Sequence, residues 1–224
     1  MTQNSMVPIL WLVCLLLICP PTCQTDLQAI GYFEERMNNY TGHIYFLFTD
    51  ASRQLSNVAS CAVQTAALLN PMATVTLLSQ APLSLTDSLL NASVFNNIRN
   101  EVIPFQDILK ETPSLLQWYL ENEKLDRKNF KADLSDALRF AIIANRGGVY
   151  LDTDMISLKP FSYVPVNSIG KQLLSADRKG KVPLVNGAAM FFQKGNRYIN
   201  ECIRRFSEAY NPKKFGTVGP ELLW

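Results

Sequence analysis

Two apolar runs separated by one helical repeat do most to limit the fold. Gly42 to Asp50 (GHIYFLFTD) is a continuous aromatic and aliphatic segment that halts at Thr49-Asp50, and Ala73 to Ser79 (ATVTLLS) is a second. Unbroken runs, unlike alternating ones, suit strands covered on both faces. Between them, from Arg53 to Leu69, residues Leu55, Val58, Ala59, Ala62, Ala66 and Leu69 keep a helical period until Asn70-Pro71 ends it. Strand, helix and strand of these lengths predict a βαβ unit with a right-handed crossover, hence an α/β fold with a parallel sheet flanked by helices. At 224 residues the chain has room for one such domain with a sizeable core.

Downstream, Pro113 to Asn122 (PSLLQWYLEN) reads as a helix with proline in its first turn. From Asp133, residues Leu134, Ala137, Leu138, Ala141, Ile142 and Asn145 make one helical face, and Gly147-Gly148 supply a left-handed ending. An extended segment, Val149 to Leu158, is expected next, broken by Lys159-Pro160. Short strands follow near Gln172 to Ser175, Val182 to Val185 and Ala188 to Phe192, then a helix from Asn196 to Tyr210 and a further helix start at Pro220.

The N-terminus has a different character. No charged side chain precedes Asp26, and Val7 to Cys19 is apolar throughout apart from Pro8. A membrane span takes ~20 apolar residues and a signal-peptide core roughly 7–15. Residues 1–25 are therefore read as a signal peptide or a short signal-anchor, 26–41 as a stem, and 42–224 as the folded domain. Both readings lead into the secretory pathway, with a cleaved, secreted form left open; the sequons Asn39-Tyr40-Thr41 and Asn91-Ala92-Ser93 agree with it. Cys14, Cys19 and Cys23 lie in or beside the apolar run. The helical pattern around Cys61 favours a small buried residue over a Cys61–Cys202 bridge. With 21 Lys and Arg against 19 Asp and Glu, and no basic run interleaved with aromatics, a nucleic-acid surface is not expected.

The chemistry concentrates in Asp133 to Met155 (DLSDALRFAIIANRGGVYLDTDM). If the segment after the glycines is extended, Tyr150, Asp152 and Asp154 share one face and Val149, Leu151 and Thr153 the other. Neighbouring carboxylates repel, and a bound Mg²⁺, Mn²⁺ or Ca²⁺ is the usual remedy. Asp-x-Asp alone is more often a pair of solvated loop carboxylates than a site; its place at the carboxyl end of an apolar strand, where α/β ligands bind, favours a site. Asp136 and Arg139, at i and i+3, are either a surface ion pair of ~0.3–0.5 kcal/mol or a pair in which Arg139 meets a phosphate or ribose and Asp136 a sugar hydroxyl or base. Tyr150 is a core aromatic or a ring stacked on ligand. His43, the only histidine, opens a buried strand, so serine triads and histidine zinc sites lack their parts.

Ser135-Asp136-x-x-Arg139 followed by Gly147-Gly148-x-Tyr150-x-Asp152-x-Asp154 resembles the signature of glycosyltransferases with a DXD motif. With "IYFLFT", "CAVQTAALLNP", "NGAAMFF" and "GTVGPELL", the resemblance extends over about residues 42 to 224 to the lactosylceramide 4-alpha-galactosyltransferase and alpha-1,4-N-acetylglucosaminyltransferase group. It implies a GT-A-like, Rossmann-like fold with a mixed, mostly parallel sheet. It also implies a UDP-sugar donor, Mn²⁺ or Mg²⁺, retaining α-1,4 transfer of a hexose or N-acetylhexosamine to a glycolipid or glycoprotein glycan, and a type II enzyme of the Golgi membrane acting in the lumen, as in glycosphingolipid biosynthesis. By the same resemblance Asp154 binds the metal directly, Asp152 holds the ribose and a metal-bound water, Asp136 and Arg139 contact the UDP-sugar, and Thr49 lies near the uridine. Asn186-Gly187 is expected to form a turn, with a place facing the donor sugar as the other reading. The family's chains continue beyond "GPELL" with a segment on the acceptor side, so the domain is expected to be incomplete at its C-terminus.

Two further readings stand beside this one. An aspartyl phosphotransferase also runs an apolar strand into Asp-x-Asp, but places the pair at its first strand. A non-catalytic lumenal domain would use the same pocket to hold a sugar nucleotide or Ca²⁺.

Overall fold

The computed structural model describes residues 40–49, 54–83, 95–124, 128–172 and 184–223. The apolar run, nearly all of the stem, Cys14, Cys19, Cys23, both sequon asparagines, Asp50 and the strand ends expected at 173–175 and 182–183 lie outside the described residues.

The βαβ unit forms β1 (His43–Phe48), α1 (Asn57–Leu69) and β2 (Thr74–Ser79). Helix α1 begins later than Arg53 because Ser56 caps it, its Oγ accepting from the Ala59 N–H at 3.1 Å. At the other end the Asn70 Nδ2 donates to the Ala66 carbonyl at 2.8 Å, and its Oδ1 accepts from the Phe161 N–H at 2.8 Å. This buried amide joins α1 to the chain that follows the carboxylate pair.

Strands β3 (Ile98–Val102), β4 (Gly148–Leu151), β5 (Ser168–Gln172) and β6 (Leu184–Phe192) complete one six-stranded sheet in the order β3-β2-β1-β4-β6-β5. Pairings β1–β2, β1–β4 and β2–β3 are parallel, while β4–β6 and β5–β6 are antiparallel. The sheet is thus mixed and mostly parallel, and the fold is GT-A-like.

Alternation sorts the central strands onto two cores. Ile44, Phe46, Val149 and Leu151 face α1, together with Val75, Leu77 and Phe191. Tyr45, Leu47, Tyr150, Met190 and Phe192 face the other layer. That layer holds α2 (Phe105–Leu109), α3 (Pro113–Asn122), α4 (Phe130–Arg146) and α5 (Arg197–Ala209). Trp118 anchors it, packing edge-on against Phe206 and Tyr210 at 5.0 and 5.1 Å.

Several expectations need correction. Cys61 is exposed on α1 and Cys202 is buried on α5; both are free thiols, so the period around Cys61 put a residue of the wet face inside. Val58, assigned to the apolar face, is 50% exposed. His43 is exposed at the strand's mouth, stacked on Tyr45 with ring centroids 5.8 Å apart. The segment after Pro220 forms turns, not a helix, within the described residues. The two short strands expected around residues 182–192 are one strand, β6.

Candidate donor site

The site begins with the two glycines. Gly147 and Gly148 have φ of 68° and 93°, and a Cβ on them would lie 2.6 Å from the Lys194 nitrogen and 2.6 Å from the His43 carbonyl oxygen, respectively. Only glycine fits both the dihedrals and the close backbone. With so short a link, α4 folds back along β4, and its N-terminal turns stand at the edge where β1 and β4 end.

Strand β4 stops at Leu151, short of the Leu158 expected from the sequence. The Asp152 N–H still donates to the Ala188 carbonyl of β6 at 2.8 Å, and the chain then turns, the Met155 N–H reaching the Asp152 carbonyl at 3.0 Å. Asp152 and Asp154 therefore do not share a face by strand alternation. Asp152 is half-buried, and Asp154 is exposed in the turn.

Around Asp152 a charged network is packed into the sheet edge. Arg139 Nη2 lies 3.2 Å from one Asp152 oxygen and donates to the other at 3.5 Å, while Nη1 meets Asp136 at 3.3 Å. The Tyr150 hydroxyl donates to Asp152 Oδ1 at 2.9 Å, and the Arg139 guanidinium lies over the Tyr150 ring, 5.4 Å from its centroid. Arg139 Nη2 also reaches the Ser135 hydroxyl at 3.3 Å. The Asp136–Arg139 pair is not the surface ion pair allowed by its spacing: the two side chains are only 12% and 9% exposed. The Arg139 Nε is buried with no hydrogen-bond partner among the described residues.

Burial pushes the Asp136 carboxyl up to about 6, helped by the charges of Asp152 and Asp133 and opposed by Arg139. Burial likewise pushes Asp133 up to about 6. Tyr150, fully enclosed, is raised far above the ordinary phenol range by desolvation and then by Asp152. At 1% exposure its ring has no face left for a ligand, and its hydroxyl orients Asp152.

The network brings together Ser135, Asp136, Arg139, Tyr150 and Asp152. Thr49 follows the last residue of β1 at the same edge, partly buried, and Asp154 follows Asp152 in the turn; neither joins the network's hydrogen bonds among the described residues. Sequence reasoning preferred a turn at Gly187 to a place at the site and gave Gly219 no role. Asn186-Gly187 is not a turn but part of β6, where a register shift against Ile169 and Gly170 bulges the strand. The bulge sets Gly187 against Arg139, where a Cβ would come within 2.9 Å of Nη1. Gly219 covers Asp136, and a Cβ there would lie 2.5 Å from its Oδ2. The repeated glycines of "GTVGP" were the available signal.

A family model described as "Glycosyltransferase sugar-binding region containing DXD motif" matches residues 30–176. Lactosylceramide 4-alpha-galactosyltransferase of Rattus norvegicus is 33% identical over 190 residues, which take in 81% of this chain and 49% of that protein. Alpha-1,4-N-acetylglucosaminyltransferase of Homo sapiens is 27% identical over 229 residues, or 94% of this chain and 64% of that protein. Among solved structures, the PaToxG glycosyltransferase superposes with a TM-score of 0.59 at 18% identity, over 88% of this chain and 75% of that one, a likeness of fold. The chain spans about half the length of the galactosyltransferases it matches, 49% in the rat protein. The family match over residues 30–176 and the identity to the rat enzyme agree with the geometry, and the chain belongs to the glycosyltransferases with a DXD-containing sugar-binding region.

Proposed function

We propose that the chain binds a UDP-sugar and transfers its hexose or N-acetylhexosamine, with retention, to a glycan acceptor in α-1,4 linkage, as its relatives' names suggest for glycolipid synthesis. The observation that carries this reading is the buried Arg139, held between Asp136 and Asp152 with its Nε unpaired, at the carboxyl edge of the sheet. A guanidinium in that setting suits a phosphate oxygen, and its partly desolvated surroundings strengthen the contact.

The residues present fit a divalent cation. Asp152 is already oriented by Tyr150 and Arg139 yet keeps 27% of its side chain exposed, and the exposed Asp154 follows two residues later; the donors are all carboxylate oxygens, suited to Mn²⁺ or Mg²⁺. When bound, the cation supplies Lewis-acid stabilisation of the negative charge that grows on the leaving diphosphate. The protein's share is orientation. Tyr150 fixes the Asp152 carboxylate, Arg139 holds the diphosphate side, and Asp136, capped by Gly219, holds Arg139 in place and offers its carboxylate to a sugar hydroxyl. Thr49, at the end of β1, serves the uridine side.

The acceptor is a glycolipid or glycoprotein glycan, and the working compartment is the Golgi lumen, with residues 1–25 as anchor or signal. No described helix is long and apolar enough to cross a membrane. UDP-galactose and UDP-N-acetylglucosamine hydrolysis, followed as UDP release with and without Mn²⁺, tests the reading: cation-dependent release that Asp152→Asn abolishes supports it. Failure to bind or cleave either donor would count against it.

A further inference from the structure

The segment 211–223 lies against the donor network and is tied back to α5. Within it the hydrogen bonds are local: the Asn211 N–H reaches the Thr217 hydroxyl at 3.2 Å, and the Glu221 and Leu223 N–H groups reach the Gly216 and Gly219 carbonyls, each at 3.1 Å. Val218 and Leu223 sink into the helical-layer core at 0% and 4% exposure. Two residues of the segment border the network. Gly219 stands against Asp136, and the place a Gly187 Cβ would take is 3.5 Å from Leu223 Cδ1 and 2.9 Å from Arg139 Nη1, so Leu223 and Arg139 flank the same glycine. The Leu223 carbonyl accepts from the Tyr198 hydroxyl, 25 residues back in the first turn of α5, at 2.5 Å. The Tyr198 ring is stacked on Phe192 of β6, with centroids 6.0 Å apart, which limits where that hydroxyl can reach.

We infer that Tyr198 is a positioning residue of the donor site: its hydroxyl fixes the segment over the network and thereby holds Asp136 and Arg139 in the arrangement that receives a diphosphate. The two charged side chains are only 12% and 9% exposed, and at Gly219 no side chain separates the covering backbone from the carboxylate. A small shift of that backbone therefore admits water to Asp136 and gives the guanidinium room to move. Affinity for an anion depends on a cation already held in place, so loosening the cover weakens binding without removing a ligand contact. The inference rests on the donor-binding reading proposed above, and it adds a residue that the DXD and Ser-Asp-x-x-Arg motifs do not include.

Tyr198→Phe keeps the ring on Phe192 and removes the hydroxyl. The test measures calorimetric UDP affinity in the presence of Mn²⁺, well below each melting temperature, for the parent chain, Tyr198→Phe, Arg139→Lys and the double variant. Affinity should fall about fivefold in Tyr198→Phe. In the double variant the tyrosine change should add little to the loss already caused by Arg139→Lys, because both act at one guanidinium. A lower melting temperature with unchanged UDP affinity in Tyr198→Phe would make the bond an ordinary structural one and overturn the inference. Fully additive losses would overturn it too. Should Tyr198→Phe fail to fold, Leu223→Ala decides in its place, since it leaves the carbonyl bonded and removes only the side chain at Gly187. Weakened UDP binding in that variant supports the inference, and unchanged binding overturns it. If the parent itself binds no UDP, the donor-site reading fails first and takes this inference with it.

Discussion

Arg139 and Asp152, thirteen residues apart and on different elements, meet at 3.2 Å beneath the sheet edge, and the Tyr150 hydroxyl holds the same carboxylate at 2.9 Å. Helix α4 and strand β4 are thereby locked at the point where the site forms. Because Arg139 is buried, Arg139→Ala should cost ~3 kcal/mol or more of stability as well as UDP affinity, since Asp136 is left without its cation. Arg139→Lys separates the two effects: it keeps a charge but loses the fork, and should weaken UDP binding about tenfold in a titration with a smaller drop in melting temperature. Unchanged UDP affinity in Arg139→Lys would leave Arg139 a structural residue.

Tyr150→Phe removes one hydroxyl and keeps the ring under the guanidinium. The fold should lose ~1 kcal/mol, the usual worth of such a bond. Asp152 is then less well aimed, and Mn²⁺-dependent UDP binding should weaken several-fold while cation-independent binding stays the same. Equal losses with and without Mn²⁺ would point to general unfolding of the edge.

Gly187→Ala would put a methyl within 2.9 Å of Arg139 Nη1 and 3.1 Å of its Cδ. Arg139 is enclosed and paired, so it cannot swing clear, and a cost of ~1–3 kcal/mol follows, read as a lower denaturation midpoint. Gly219→Ala should do the same through Asp136, at 2.5 Å. Donor affinity should fall in both variants, and full affinity in either would mean that the contact relaxes freely.

How far the sequence carried this account depends on where period and burial agreed. The helix Pro113–Asn122, strands β1 and β2, and the Gly147-Gly148 ending were legible because each is a long apolar pattern or a backbone constraint. Strand β3 (IRNEV) was not: it is a sheet edge with two exposed residues in its middle, so it carries neither an apolar run nor a hydrophobic alternation. The end of β4 at Leu151 was missed because "LDTDM" alternates like a strand, whereas the chain turns directly after it, the Met155 N–H reaching back to the Asp152 carbonyl. The roles of Gly187 and Gly219 depend on contacts across 48 and 83 residues of chain (187 − 139; 219 − 136), which no local pattern encodes.

Asp133 and Asp136 also set a pH dependence. Burial raises both to about 6 from an ordinary value of 3.8, so the folded chain binds these protons more tightly than the unfolded one. Their stabilising effect is complete below the unfolded value and is lost as pH rises through about 6. Other carboxylates contribute their own slopes, so the useful quantity is a difference. The stability of ligand-free Asp133→Asn relative to the parent should increase from pH 4 to pH 7, measured by chemical denaturation. A difference that does not change with pH would mean that Asp133 titrates normally.

The central claim is that Asp152 and Asp154 hold a cation that holds a diphosphate, and UDP affinity measured with and without Mn²⁺ addresses it most directly. The account predicts at least a tenfold gain from Mn²⁺ in the parent chain, lost in Asp154→Ala, whose melting temperature should stay the same because Asp154 is exposed. UDP bound equally well with and without Mn²⁺ by the parent would contradict it.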